Sequence, residues 1–336
     1  MESLSFSFIV PVYNRPDEVA ELLDSIQLLD FSKKFEVVIV EDGSEKDCKS
    51  VLENYKSRIN ISYYTKPNSG PGDSRNYGMN KASGNYFIIL DSDCILPKHY
   101  LKEVENQLSR EFVHCFGGPD AAHDSFSNVQ KAIDFAMTSF ITTGGIRGNK
   151  NAVNKFQPRS FNMGISKEVF EITGGFGNIH PGEDPDLTFR IWKKGYSSRL
   201  FDKAFVYHKR RIDWKKFWLQ VKKFGMVRPI LNKWHPGSSK LTYWFPTLFS
   251  IGIITSIVLF FLNIYWPILC FSSYILLTFI VSLVVVPNWK VACYSLIAVF
   301  IQFFGYGYGF LKSTILVNFS GQDPQALFPN LFFKEA

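Results

Sequence analysis

Asp, Glu, Lys and Arg are all missing from Leu241 to Trp289, a stretch of 49 residues. A membrane span needs about 20 predominantly apolar residues. The stretch therefore has room for two spans, with Asn263-Ile264-Tyr265-Trp266-Pro267 as the turn between them. Val291 to Leu311 is again without charge and reads as a third span, weakened by Gln302, Gly305, Gly307 and Gly309. Two to three transmembrane helices are expected over 241–313, followed by a tail over 314–336. Cysteine is also scarce. The five residues Cys48, Cys94, Cys115, Cys270 and Cys293 have neither disulfide nor metal-ligand spacing. That argues against a disulfide-stapled or zinc-built scaffold and fits reduced thiols in a cytosolic or membrane setting. Met1 to Pro11 lacks a basic start and a cleavage site, so no secretory signal is expected. Repeats and low-complexity tracts are absent as well.

Acids thin out where bases crowd. Lys209 to Lys240 holds ten basic residues and a single acid, Asp213, within a chain of net charge +7. Anionic lipid and nucleic acid both attract such a cluster. Its position directly before the first span favours an anionic membrane surface, and nucleic acid is not an expected partner. The positive-inside rule places residues 1–240 in the cytoplasm. Within 209–240, Trp214, Phe217, Trp218, Val221 and Phe224 recur at helical spacing, with Lys215, Lys216, Lys222 and Lys223 opposite. This pattern suits a helix in the membrane interface. A core-packing helix with a solvated face has the same pattern.

What is present in the first half is alternation. Apolar strands are read at Phe6–Val12, Glu36–Val40, Ile59–Tyr64 and Tyr86–Leu90. Helical patterns are read at Pro16–Leu28, Asp47–Tyr55 and Ser74–Lys81. Strand-helix-strand order at this spacing argues for an α/β domain with a mostly parallel sheet. Ligands bind such sheets beyond the carboxyl ends of the strands. Tyr13-Asn14, Glu41-Asp42 and Asp91-Ser92-Asp93 fall there. Asn128 to Gln157 yields no assignment, and Thr142 to Gly148 reads as a flexible polar loop.

Asp91 and Asp93 stand two apart where the strand Tyr86–Leu90 stops. Alone, such a pair fits a hinge, a cap or a metal site. Hard cations such as Mg²⁺ and Mn²⁺ prefer carboxylate oxygens and commonly bridge protein to substrate phosphates. Two more acidic elements, Glu41-Asp42 and Glu183-Asp184-Pro185-Asp186, end a strand and open a helix. Asp42-Gly43 is also a turn pair, and Glu183 and Asp186 also suit a helix N-terminus.

The stretches FIVPVYNRPDEVAELLDSI, VVIVEDGS, NSGPGDSRNYGMNKASGNYFIILDSDCILP and GGFGNIHPGEDPDLTFRIWKKGY, spanning residue 5 to about 210, occur in the order found in family 2 glycosyltransferases of the GT-A fold. The chain resembles that family over this range. The resemblance implies a GT-A catalytic domain over 1–208, a basic interfacial segment over 209–240, and bacterial members with C-terminal hydrophobic helices. It implies transfer of one sugar, with inversion, from a nucleotide-diphosphate donor. The acceptor would be a hydroxyl of a lipid-linked or cell-envelope glycan at the cytoplasmic membrane face. Asp184 would be the general base. Pro11, Tyr13, Asn14, Asp42, Arg75, Asp91 and Asn162 would bind the donor. Asp93, Asp91 and His208 would hold Mg²⁺ or Mn²⁺, although a lone histidine such as His208 also serves structure. The Q-x-x-R-W element of processive synthases is not matched: Gln220 and Arg228 stand near the expected place without the motif. Single addition is therefore favoured. A polyprenyl-phosphate acceptor and a non-catalytic membrane scaffold are the competing readings.

Overall fold

The computed structural model describes residues 3–121, 123, 126–144, 156–209 and 213–333. Its contacts divide the chain into two units. One contains 1–123, 148–208 and 332–336; the other contains 124–147 and 209–331.

The first unit begins with the expected alternation: β1 (Phe6–Val12), α1 (Pro16–Ile26), β2 (Glu36–Asp42), α2 (Lys49–Leu52), β3 (Ile61–Lys66), α3 (Pro71–Lys81) and β4 (Tyr86–Leu90). Then come β5 (Cys94–Ile95), α4 (Tyr100–Arg110), β6 (Cys115–Gly117) and β7 (Asp120–Ala121). After two helices of the second unit, α5 (Asn128–Thr138) and α6 (Phe140–Thr143), it resumes with β8 (Asn162–Ser166), α7 (Lys167–Thr173), α8 (Glu183–Lys193), β9 (Ser198–Leu200) and β10 (Val206–His208). Seven strands form one sheet in the order β3-β2-β1-β4-β8-β6-β9. The β3-β2-β1-β4 half is parallel throughout, and β8 runs antiparallel to both β4 and β6. The sheet is thus of the mostly parallel kind.

Side-chain alternation builds a core on each face of the sheet. On β1, Phe6, Phe8, Val10 and Val12 join Val19, Leu22 and Leu23 of α1 on one face. Ile9 points the other way, to Val38, Val40 and Met79. Pro11 interrupts no ladder that matters, because it sits near the strand's exit. Helix α3 lies tight on its face: a methyl group at Gly78 would come 2.7 Å from Ile9 Cγ2. That proximity fixes the height of Arg75, one turn earlier.

The second unit gathers α5 and α6 with α9 (Trp214–Trp234), α10 (Phe245–Phe261), α11 (Trp266–Val285) and α12 (Trp289–Phe319). Three segments, 241–261, 266–285 and 289–319, are long and apolar enough to cross a membrane. The turn falls between Phe261 and Trp266; of the expected Asn263–Pro267, Trp266 and Pro267 already open α11.

Two readings need correction. Asn128–Thr138 is a helix, opened by a capping box in which Ser127 Oγ accepts from the Gln130 amide and Gln130 Oε1 from the Ser127 amide. The S-x-x-Q signal was present in the sequence. The polar loop read at Thr142–Gly148 begins inside α6, and its part from 145 onward lies outside the described residues. The second correction concerns α9. Phe217 and Val221 are buried, with Trp214 and Phe224 packed partly against the same cluster as Phe303 and Val299 of α12. The apolar face expected in lipid is covered by protein.

Glycine explains how the two helices come so close. A methyl group at Gly225 would lie 2.2 Å from the Tyr306 carbonyl oxygen, and one at Gly309 would lie 2.2 Å from that of Lys222. Such small-residue contacts let helix backbones touch. Both obstructions are main chain, so neither can swing aside. Gly309→Val is expected to destabilise the second unit by about 1–3 kcal/mol, the ordinary range for overpacking. A detergent thermal-shift measurement checks this; an unchanged melting temperature would mean that the helices separate freely.

Candidate active site

The acidic elements converge at the carboxyl edge of the parallel strands. β4 ends at Leu90 and releases Asp91 and Asp93. Directly after them, β5 pairs antiparallel with β10 in a register that sets His208 against Cys94. This pairing brings the imidazole to the carboxylates: His208 Nε2 is 3.2 Å from Asp93 Oδ1 and 3.9 Å from Asp91 Oδ2. Phe161 stacks on the His208 ring at 4.8 Å and holds its plane. The outer carboxylate oxygens are held by cations. Arg15 Nη1 donates to Asp93 Oδ2 at 2.7 Å, and Arg75 Nη2 donates to Asp91 Oδ1 at 2.8 Å.

The donor set therefore fits a divalent cation. One oxygen each of Asp93 and Asp91 lies within 4 Å of the His208 imidazole nitrogen, and hard oxygen donors with a single nitrogen suit Mg²⁺ or Mn²⁺. Asp93, Cys94 and His208 each place a ligand atom within 4.8 Å of the others. Cys94 is the weak member. Burial, with the charges of Asp93 and Asp91 behind it, pushes its thiol well above the ordinary value. It stays protonated and donates to the Phe161 carbonyl at 3.4 Å.

Arg75 links this pair to the third acidic element. Its side chain is almost fully buried and bridges Asp91 to Glu183, whose Oε1 lies 3.1 Å from Nη1. Burial alone would lower the Arg75 pKa, but Asp91 and then Glu183 outweigh it, and the guanidinium stays charged. The cation also stands 5.3 Å from the centre of the Phe176 ring. Glu183 accepts from His180 Nδ1 at 2.9 Å as well. Burial raises its pKa, but His180 and Arg75 reverse that and hold it below the usual carboxylate range. Glu183 is thus more than an acid at a helix N-terminus. Asp186 binds Arg190 one turn on, and Arg190 holds the Thr173 and Gly175 carbonyls.

Asp184 is the exception among these acids. Burial, followed by the charge of Glu183, pushes its carboxyl up; Arg75, Arg159 and a hydrogen bond with Ser160 oppose this only in part. Its Oδ1 is buried and has no hydrogen-bond partner among the described residues. A buried acceptor without a partner is costly. One held beside a cluster of cations is suited to taking a proton from a bound group.

Three residues expected at the donor are occupied by the protein. Asp42 accepts from the Ser69 amide and Lys66 Nζ on Oδ1, and from the Gly70 amide and Asn68 Nδ2 on Oδ2. These contacts tie the 66–70 loop to Asp42 at the end of β2. Asn14, at φ +55°, accepts from the Glu45 and Lys46 amides. Asn162 is fully buried; its amide accepts from the Tyr100 hydroxyl at 2.6 Å and donates to the Ala204 carbonyl at 2.8 Å. Tyr13, by contrast, is 52% exposed and Pro11 is half-buried at the same edge. Arg15 was missed by the sequence reading, although it adjoins Tyr13-Asn14; nothing in one sequence pairs it with Asp93.

Comparison with known proteins agrees with this arrangement. Residues 7–172 match the model of the family described as Glycosyl transferase family 2. The poly(ribitol-phosphate) beta-N-acetylglucosaminyltransferase TarS of Staphylococcus aureus is 37% identical over 103 residues, covering 30% of this chain and 18% of TarS. The GalNAc(5)-diNAcBac-PP-undecaprenol beta-1,3-glucosyltransferase of Campylobacter jejuni is 34% identical over 114 residues, covering 33% of this chain and 37% of that protein. The alignments thus span well under two thirds of these relatives. Among solved structures, the mannosyltransferase PcManGT of Pyrobaculum calidifontis, in complex with GDP-Man and Mn²⁺, aligns with 94% of this chain and 88% of its own at a TM-score of 0.57 and 14% identity. That likeness concerns the fold. Residues 7–172 of this chain thus carry a domain matched by the glycosyl transferase family 2 model, on a mostly parallel sheet of the GT-A type.

Proposed function

We propose that this protein is a membrane-bound inverting glycosyltransferase, moving one sugar from a nucleotide-diphosphate donor to a hydroxyl of a lipid-linked or envelope glycan. The observation that carries the reading is Asp184: a carboxylate of raised pKa, with one buried oxygen unpartnered, in charge contact with the Arg75 network. An alcohol is a weak nucleophile at neutral pH and needs a base within hydrogen-bond reach. Asp184 accepts that proton on Oδ1. Arg75 pairs with Asp91 and Glu183 and holds both in place. Tyr13 and Pro11 line the nucleotide side. Asp93, Asp91 and His208 would hold Mg²⁺ or Mn²⁺, which would supply charge stabilisation for a departing diphosphate. A single displacement inverts the anomeric centre, and no side chain has to form a covalent intermediate.

The raised Asp184 pKa also speaks to the acceptor. A polyprenyl phosphate is already anionic and needs no base, so an acceptor hydroxyl is favoured. The two similar bacterial enzymes are named for poly(ribitol-phosphate) and an undecaprenol-linked glycan. The helices apolar enough to enter a membrane would bring the enzyme to an acceptor whose tail stays in the bilayer. Ten basic residues before α10 support a catalytic unit on the cytoplasmic side.

Purified full-length protein, offered a panel of nucleotide sugars with undecaprenyl-linked acceptors, tests this reading. Transfer with an inverted anomeric linkage is expected; donor binding without any transfer or hydrolysis would leave only a scaffold. A pH profile adds a second test. Asp184 must be ionised to act, and its pKa is raised to about 6. Turnover at saturating donor should therefore fall as pH drops through about 6, well above the ordinary aspartate value near 3.9. A rate still undiminished at pH 5 would remove Asp184 from the role of base.

A further inference from the structure

The chain leaves the sheet unit at His208 and is part of it again at Phe332. Main-chain bonds secure that return. Phe332 forms an antiparallel bridge with Ile179, and the Phe333 amide donates to the Asn178 carbonyl at 3.0 Å. A folded unit occupies one side of a membrane. The number of complete crossings between His208 and Phe332 is therefore even, whereas three segments are apolar enough to cross.

Length identifies the odd one. At 1.5 Å per residue, segments 241–261 and 266–285, of 21 and 20 residues, are each about 30 Å long, the thickness of a bilayer's hydrocarbon core. α12 has 31 residues and would overshoot by roughly half. Neighbours identify it too. α9 runs beside α12 in the same direction: Trp214 meets Tyr294, and the next contacts pair Val221 with Gly305 and Lys222 with Gly309. α5 and α6 flank it as well, with Asn128 near Asn288 and the Thr142 carbonyl near Gln302 Nε2. α9 carries Lys215, Lys216, Lys222 and Lys223, and α5 carries Lys131 and Asp134. Charges of that number are expensive in hydrocarbon, and α12 shares their depth. α11, by contrast, buries little; Leu269 and Val284 are exposed at 61% and 77%.

The outer face of α12 completes the case. Its exposed large apolar residues are Trp289, Tyr294, Ile297, Tyr308, Ile315 and Phe319. At 100° per residue they fall within an arc of about 140°, one side of the helix. Trp and Tyr prefer the headgroup level, and a helix with one such face lies in the interface plane.

We propose that the membrane is crossed twice, by α10 and α11 as a hairpin, and that α12 lies along the interface with its aromatic face in lipid. The chain thereby returns to the side it left. The lysines of α9, held beside α12, then face the headgroup layer without α9 itself entering lipid. This rests on the membrane reading given above, but not on the sugar chemistry.

Cysteine labelling of the full-length protein in sealed membranes, with a membrane-impermeant maleimide, tests it. Cys270 and Cys293 are first replaced by Ser, leaving the buried Cys48, Cys94 and Cys115. Single reporters are then introduced as Lys34→Cys, Ile264→Cys and Gln322→Cys, all at exposed positions. Positions 34 and 322 are expected to label from the same side, and position 264 from the other. Labelling of 322 together with 264 would establish a third crossing and overturn the proposal. Labelling of 264 together with 34 would overturn the crossing hairpin. Free labelling of all three from either side would overturn the membrane reading itself, leaving the glycosyltransferase assignment to its own assay.

Discussion

Replacing Asp184 with asparagine is expected to lower turnover by about 10²–10⁴-fold, the usual contribution of a positioned general base. Asparagine keeps the shape and the Ser160 contact while removing the basic oxygen. Donor affinity should hold, because Arg75 stays fixed by Asp91 and Glu183. The same variant should lose the acid limb of the pH profile. Nucleotide binding by calorimetry, run beside single-turnover transfer, separates the outcomes. If affinity collapses while the chemical step survives, Asp184 is a donor contact. Glu183→Gln makes the contrast: it uncouples Arg75 and His180, so both binding and turnover should fall.

How much of this was legible follows from what kind of signal each feature leaves. The parallel half of the sheet was readable because buried strands are short apolar runs bounded by turns, and each was followed by a helix signal. The motif carboxylates were readable as strand and helix ends. Their division of labour was not. Asp42 and Asp91 look alike in sequence, yet Asp42 is tied to the backbone of residues 69 and 70 while Asp91 keeps an oxygen turned to His208. Asn162 and Asn14 belong to conspicuous stretches because they hold loops together, and a motif does not distinguish holding from binding. Arg15 was invisible for another reason. Its partner is 78 residues away, and only the fold brings them together.

Periodicity has the same limit in the helices. The stripe Trp214-Phe217-Trp218-Val221-Phe224 correctly forms one apolar side of α9, but an apolar side does not name what covers it. The answer was in Gly225 and in Gly305 and Gly309, the last two read from the sequence as weakening a span. In the structure Gly225 and Gly309 are sites where two backbones touch, and Gly305 admits Val221 and Trp218. The interruptions that weakened 291–311 as a span are the same features that bind α12 to a charged helix.

Asp93→Ala should be the most damaging single change at the metal site. Removing it takes away one oxygen of the cluster around His208 Nε2 and also frees Arg15, whose guanidinium then has no carboxylate at 2.7 Å to hold it. A divalent ion on a departing diphosphate supplies several kcal/mol of charge stabilisation; roughly 4 kcal/mol corresponds to about 10³ in rate. A loss of at least that size is expected, and added Mn²⁺ should not restore it. The wild type stripped with chelator should fall to a similar level and recover with Mn²⁺ or Mg²⁺. Arg15→Met supplies the control. It leaves Asp93 in place and removes a cation competing for its oxygen, so the Mn²⁺ concentration giving half-maximal activity should drop. Mn²⁺ titration of the three proteins decides the matter. Activity in Asp93→Ala that is unchanged by chelator would mean that Arg15 and Arg75 neutralise the diphosphate by themselves, and that the cluster of Asp91, Asp93 and His208 serves structure alone.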